Sequence, residues 1–193
     1  MSTPHHRGTV FSGAAPSRRL FLKMASGALA AGFGAGTLPA HAAQGERERN
    51  LRLYNTHTGE QSNTVYWANN AYQPDGLAEL SRLLRDHRSN EVGAIDPGLL
   101  DLIFLMSASL DTRERFQVIS GYRSPATNAM LNKTTSGVAT RSLHMDGLAI
   151  DIRVPGRKLA DVRRTAIALK GGGVGYYPDS DFVHLDVGRV RTW

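Results

Sequence analysis

Apolar and polar residues alternate over Leu51-Arg52-Leu53-Tyr54, and Asn63-Thr64-Val65-Tyr66-Trp67 is rich in β-forming side chains. Between them Asn55-Thr56-His57-Thr58-Gly59-Glu60 supplies turn residues, so the two segments predict a β-hairpin. Leu77, Leu80 and Leu84 recur at helical spacing and predict a helix over Asp75–His87. A second helix opens at Asp96-Pro97, with Asp as N-cap and Pro at the first helical position, and its apolar stripe includes Leu100, Ile103 and Phe104. Phe116–Ile119 reads as a strand, and Ser124-Pro125 starts another capped helix through Leu131. Asn132–Arg141 lacks periodicity and is rich in Thr, Ser and Gly, so it reads as a loop near the site. A strand over Leu148–Val154 and a helix over Arg157–Lys170 follow. The chain then turns at Gly171-Gly172-Gly173 into short strands at Val174–Tyr176 and Phe182–Val187. This order predicts an α+β domain whose helices cover one face of a small antiparallel sheet.

The pleat decides which side chains meet, because alternate strand residues face opposite sides. Leu148, Ile150, Ile152 and Val154 take the core face, leaving Gly147, Ala149, Asp151 and Arg153 on the other. In the last strand Val183, Leu185 and Val187 face the core, and Phe182, His184 and Asp186 face away. Asp151 and His184 are thus expected on one face. His144 lies seven residues before Asp151 and reaches it only if the chain turns, which Asp146-Gly147 can supply.

His144, Asp151 and His184 are all metal-type ligands. Two neutral imidazoles and a carboxylate leave one position open on a tetrahedral zinc ion, the composition of a catalytic site; a structural site closes with four protein ligands, most often including cysteine. The chain has no cysteine, so neither a cysteine-bound zinc nor a disulfide framework is available. Hydrolysis by a metal-activated water is the chemistry this set implies.

The N-terminal 42 residues read as a removable address. Ser17-Arg18-Arg19-Leu20-Phe21-Leu22-Lys23 has the form of a twin-arginine export signal, followed by a small-residue apolar stretch and an A-x-A cleavage site at Ala40-His41-Ala42. The stretch is Gly- and Ala-rich and short of the roughly 20 strongly apolar residues that span a bilayer, so no membrane span is expected after cleavage. Ala43–Asn50 reads as a short charged leader. The whole chain carries 23 basic and 17 acidic residues, net +6, but Arg7, Arg18, Arg19 and Lys23 lie in the signal. Removing those four leaves 19 against 17, or +2, with no continuous basic face for nucleic acid. Residues 43–193 then form one soluble domain, expected to be exported and monomeric and long enough to bury its own core.

The spacing Ser142-x-His144-x-x-Gly147-x-Ala149-x-Asp151 with a distal His184 resembles the M15 zinc peptidases, which share the fold of D-Ala-D-Ala carboxypeptidases and the hedgehog signalling domain. Leu53–Glu60, Ser120–Pro125, Val174–Pro178, Phe182–Asp186 and the ending Val190-Arg191-Thr192-Trp193 look more narrowly like the exported DUF882 branch of murein endopeptidases. The resemblance implies a hedgehog/D,D-peptidase-like fold and zinc-dependent cleavage of peptidoglycan stem-peptide cross-links in the periplasm. It implies His144, Asp151 and His184 as the zinc ligands. Two other readings go with it: a zinc D,D-carboxypeptidase on the same stem peptides, and a zinc-stabilised peptidoglycan-binding module without turnover. Some relatives place a Glu three residues before the last His, where this chain has Asp181; others place a His two before it, where this chain has Phe182.

Pleat parity favours Asp186 as general base, because it shares the face of His184, while the family position points to Asp181. Arg123 follows a strand and can hold a developing oxyanion or a substrate carboxylate with its forked donors. Ser142 is expected to hydrogen-bond the ligand loop or the substrate, and Tyr176 and Tyr177 to line the peptide cleft, with core packing accounting for at least one of the two. His57 and Glu60 read as residues of the hairpin turn, and His87 as a helix-terminal residue that the dipole there favours when protonated.

Overall fold

The computed structural model describes residues 48–135 and 139–193. The export segment over residues 1–42, the leader up to residue 47 and Ser136–Val138 of the expected loop lie outside the described residues.

The hairpin forms from β1 (Glu48–Asn55) and β2 (Gln61–Ala68), so β1 starts three residues inside the segment read as leader. Its turn is closed by Asn55, whose Oδ1 accepts from the backbone N–H groups of His57 (3.0 Å) and Thr58 (3.2 Å). Leu51 and Leu53 of β1, and Thr64 and Tyr66 of β2, are buried on one face. A two-residue strand, β3 (Ala71–Tyr72), adds an edge that the sequence pattern did not indicate.

Helix α1 (Pro74–Leu83) stops four residues short of the predicted end. The Leu84 carbonyl accepts from Tyr122 N–H at 2.7 Å, and buried Asp86 takes over the chain beyond it. The Asp86 carboxylate accepts from the backbone of Arg88 (2.9 Å) and from both N–H and Oγ–H of Ser124 (2.9 and 2.7 Å). Side-chain bonds of this kind compete with helix continuation. His87 therefore does not cap a helix. Its ring stacks on His57 at 3.8 Å, and burial, with the charges of His57, Arg88 and Arg123 outweighing Asp86, lowers its pKa to about 4. That is the opposite of the dipole-favoured cation expected from the sequence.

The lowered pKa fixes the sign of an acid effect. Above about 6.5 the imidazole is neutral in both states. Between 6.5 and 4 the unfolded chain takes up a proton that the folded chain refuses, so folding free energy is lost across that window. Thermal unfolding of wild type should lose more between pH 7 and pH 4.5 than that of His87→Phe, which keeps an aromatic ring on His57. Equal losses would show that His87 is free to titrate.

Helix α2 (Pro97–Ser109) begins as expected, with Asp96 Oδ1 accepting from Gly98 N–H at 2.8 Å. Its buried set, Leu99, Leu100, Leu102, Ile103 and Met106, is wider than one stripe because α2 packs on β1 and on α4 (Leu159–Leu169), which follows α3 (Pro125–Thr134) in the chain. A helix covered on two sides is apolar around most of its girth. α1 lies on β2, and α4 on β6 (Gly173–Tyr177) and β7 (Phe182–Asp186), so with α2 these helices share the core face of the sheet.

The sheet itself corrects the sequence expectation. It has eight strands in the order β3-β2-β1-β4-β5-β7-β6-β8, and it is mixed. The later strands are β4 (Phe116–Ser120), β5 (Ala149–Arg153), β6 (Gly173–Tyr177), β7 (Phe182–Asp186) and β8 (Arg191–Thr192). β4 joins β1 in parallel, which requires a crossover, and the segment carrying α1 and α2 supplies it. β8 joins β6 in parallel after the chain leaves β7. Local alternation reveals strands but not their partners, so a pattern reading returned only a small antiparallel core. Ile150, Ile152, Val183 and Leu185 are each 0 % exposed at its centre. Burial of each is worth about 1.5–3 kcal/mol relative to exposure.

Two irregularities aim the site. The β4–β5 ladder shifts register between Val118 and Ser120, directly opposite Asp151, a bulge of the kind that re-aims strand ends beside active sites. The chain before β5 winds through a 3-10 helix (Leu143–Asp146) that ends on Gly147 at φ +67°. A Cβ on Gly147 would fall 2.0 Å from the Ala94 carbonyl oxygen, so only glycine makes this turn.

Candidate metal centre

The turn at Gly147 brings His144 back over the strand that carries Asp151, and β7 pairs with β5 so that Asp151 stands opposite His184. His144 Nε2 lies 3.3 Å from His184 Nδ1 and 3.4 Å from Asp151 Oδ2, and His184 Nδ1 lies 2.8 Å from Asp151 Oδ1. One ligand atom from each residue falls within 4.8 Å of the other two. A tetrahedral ion with bonds of about 2.0–2.1 Å has ligand separations of roughly 3.3 Å, so the donor set fits a small divalent cation.

The remaining ring nitrogens are tied down. His144 Nδ1–H donates to the Gly121 carbonyl at 2.7 Å, which fixes the tautomer and leaves the Nε2 lone pair facing the centre. Gly121 directly follows β4, whose ladder with β5 shifts register between Val118 and Ser120. His184 Nε2–H donates to Asp186 Oδ2 at 3.3 Å, turning Nδ1 toward Asp151. Partners of this kind orient metal-binding imidazoles and raise their basicity.

The electrostatics agree. Burial pushes the Asp151 carboxyl up, but the two imidazoles beside it reverse this and hold it well below the usual carboxylate range. Burial lowers the His184 pKa, and the carboxylates of Asp151 and Asp186 more than compensate, raising it to about 9. A pocket that stabilises one extra positive charge on Nδ1 is also one that attracts a cation there.

Asp186, the base that pleat parity favours, is enclosed. Its side chain is 0 % exposed and sits behind the His184 ring, on the side away from Asp151. Oδ1 accepts from Gly173 N–H (3.0 Å), Gly188 N–H (2.8 Å) and Arg191 Nη1 (3.1 Å), while Oδ2 accepts from Arg191 Nη2 (2.8 Å). Burial raises this carboxyl, and the bonds from His184 and Arg191 bring it well below the usual range. Both oxygens are occupied and the group is shut off from solvent. Parity placed it correctly on the face of His184, but parity carries no information about enclosure. Asp181 is the reverse case: φ +53°, side chain 61 % exposed, paired with Arg153 Nη1 at 3.0 Å. It precedes His184 by three residues, roughly 10 Å along a strand.

Arg123 reaches the site. Its backbone N–H donates to the His144 carbonyl at 3.1 Å, and Nη1 donates to Asn128 Oδ1 at 3.4 Å. Nε is buried with no partner among the described residues. Burial depresses the guanidinium pKa and the charge of Asp151 opposes this, so the two groups sense each other. Ser142 precedes the 3-10 helix and makes no side-chain cap there. Tyr176 falls on the core face, in register with Val183 and beneath the Arg163 guanidinium at 5.1 Å, so the expected substrate contact is not where its side chain lies. The neighbouring Tyr177 occupies the metal face instead. His57 and Glu60 stay with the hairpin, Glu60 paired with Arg85 at 2.6 Å.

Tyr177, with two residues given no site role from the sequence, Trp193 and Phe182, completes the wall of the site. The Trp193 ring stands 5.3 Å from that of His184, donates from Nε1 to Tyr177 Oη at 2.8 Å, and lies under Arg191 at 4.8 Å. Tyr177 stacks on Phe182 at 4.6 Å. A Cβ on Gly175, which is in register with His184, would fall 2.8 Å from both the Trp193 and Tyr177 rings. The ending Arg191-Thr192-Trp193 carried this signal only as alternation: two residues apart, Arg191 clamps Asp186 and Trp193 faces the ligand.

Comparison with known proteins gives a consistent picture. The family model Peptidase_M15_2, described as peptidoglycan L,D-endopeptidase MepK, matches residues 43–193. The peptidoglycan L,D-endopeptidase MepK of Escherichia coli (strain K12) is 43% identical over 147 residues, covering 76% of this chain and 81% of that protein. The probable peptidoglycan L,D-endopeptidase MepK of Haemophilus influenzae is 41% identical over 148 residues, covering 76% and 80%. No solved structure matches.

Proposed function

The chain belongs to the Peptidase_M15_2 family of peptidoglycan L,D-endopeptidases, and from that membership we propose that it is a periplasmic zinc peptidase that hydrolyses L,D cross-links between peptidoglycan stem peptides. The observation that carries this reading is the convergence of His144 Nε2, Asp151 and His184 Nδ1, each imidazole held by its other nitrogen. Two imidazoles and a carboxylate with no thiolate favour zinc in a three-ligand, open-position site. Bound there, zinc supplies Lewis acidity at the scissile carbonyl and acidifies water.

The chain's own groups do the rest. Arg123 binds the carbonyl oxygen as negative charge grows on it, using donors that its partial burial strengthens. Gly121 and Asp186 keep the two imidazoles from rotating, so no reorganisation is needed during the reaction. The Trp193, Tyr177 and Phe182 rings offer a wall on which the apolar part of a stem peptide packs beside His184. Ser142 offers its hydroxyl to the substrate backbone. Asp181, open to solvent on its turn, is the carboxylate available for proton transfer, held by Arg153 until substrate arrives.

Mass spectrometry of cross-linked muropeptides incubated with zinc-loaded residues 43–193 tests the reading. Dimers should become monomers, and the product masses should name a bond between an L- and a D-centre. Loss of a terminal D-Ala from intact dimers would instead make it a carboxypeptidase, and no change at all would make it a binding module.

A further inference from the structure

The face of the sheet that carries the metal ligands continues, away from them, into a cavity of about 540 Å³. The connection is set by register. Arg153 follows Asp151 by two residues on β5 and so shares its face; Gln117 pairs with Arg153, and Tyr54 pairs with Gln117. Tyr54 and Gln117 line the cavity, together with Arg52, Arg113, Glu114 and Arg115. Three guanidiniums thus meet one carboxylate in a single depression. No carboxylate pairs with Arg52, Arg113 or Arg115 among the described residues; Arg52 Nη1 donates to the Arg113 carbonyl at 3.2 Å. Like charges held together without counter-charges leave a local positive potential, and the planar donors of arginine match a carboxylate's two oxygens.

We propose that this cavity is a carboxylate-binding subsite that holds one stem peptide of a cross-linked pair on the far side of the bond being cut. The inference rests on the peptidoglycan reading above and extends it, because stem peptides carry free carboxylates at fixed distances from their cross-link. A step of two strand residues and one strand spacing, roughly 8–9 Å, separates Asp151 from Gln117 at the cavity's edge. That is about two to three residues of extended substrate. The site thereby recognises a substrate that continues beyond the scissile bond, which a terminal D-Ala does not.

Arg113 and Arg115 are exposed residues that lie in no helix or strand, so the double variant Arg113→Gln/Arg115→Gln should fold. On a cross-linked muropeptide dimer, KM should rise about tenfold with kcat unchanged. On a dimer whose carboxylates are amidated, wild type and variant should share the same raised KM. Identical KM values for wild type and variant on the unmodified dimer would overturn the proposal. Calorimetric titration of the dimer into the two proteins, each in a His144→Ala background, reads the cavity without turnover. If wild type cleaves no muropeptide, the functional reading fails, yet weaker binding by the glutamine variant would still support the subsite and unchanged binding would sink it. Inorganic phosphate displacing the dimer as effectively as a free stem peptide does would reduce the cavity to a general anion site and overturn the carboxylate assignment.

Discussion

His144→Ala should lose its metal and, with it, hydrolysis of cross-linked muropeptides, by on the order of a thousandfold or more in kcat/KM, the several kcal/mol that a Lewis-acidic ion supplies. The residue is 3 % exposed, and its Nε2 is one of three convergent donors. Without it, one imidazole and one carboxylate remain, too few to hold a small divalent cation against water. The substitution also strips the Gly121 carbonyl of its 2.7 Å partner, and an unsatisfied buried acceptor costs about 1–3 kcal/mol. A modest fall in melting temperature should therefore accompany the loss, with the circular dichroism spectrum preserved. Zinc content by atomic absorption, measured beside turnover, decides the matter. A variant that kept stoichiometric zinc and wild-type turnover would remove His144 from the site and the metal centre from the proposal.

How much of this was legible beforehand differs between strand and sheet. Alternation in β5 and β7 placed Asp151 and His184 on one face, because each pair of residues obeys a purely local rule, and the register of the two strands then set them opposite. The Asp96 and Ser124 caps were readable for the same reason: the N-cap residue and its N–H donor are two or three positions apart. What eluded the sequence was set by distant partners. The parallel docking of β4 on β1, and of β8 on β6, depends on segments far apart in the chain, and so does the truncation of α1 by Tyr122 and Ser124. Asp186 illustrates the limit within the site. Its face was predictable, but its enclosure comes from Gly173 on another strand and from Arg191 beyond a turn. Tyr176 and Tyr177 show how narrow the margin is: one residue of register separates a ring under Arg163 in the core from a ring hydrogen-bonded to Trp193 beside the ligand.

Asp186→Asn should weaken zinc binding by about 10–100-fold, the usual effect of losing a group that orients a ligand imidazole, and excess zinc should restore most of the turnover. The amide keeps one oxygen for Gly173, Gly188 and Arg191 Nη1, but its NH₂ then faces Arg191 Nη2 and His184 Nε2–H, donor against donor. The imidazole relieves this by moving its proton to Nδ1, the nitrogen that faces Asp151 and His144, and a protonated Nδ1 cannot serve as a ligand. Loss of the carboxylate also leaves the Arg191 fork without its counter-charge, so a lowered melting temperature is expected with it. A general base behaves differently: its removal collapses kcat even at saturating zinc. Activity of Asp186→Asn that stays lost when zinc is saturating would therefore restore Asp186 as proton acceptor, against its enclosure. The companion variant Asp181→Asn separates the roles from the other side. With its carboxylate exposed and paired with Arg153, it should bind zinc as wild type does while kcat falls, and unchanged kcat there would strike Asp181 from the mechanism.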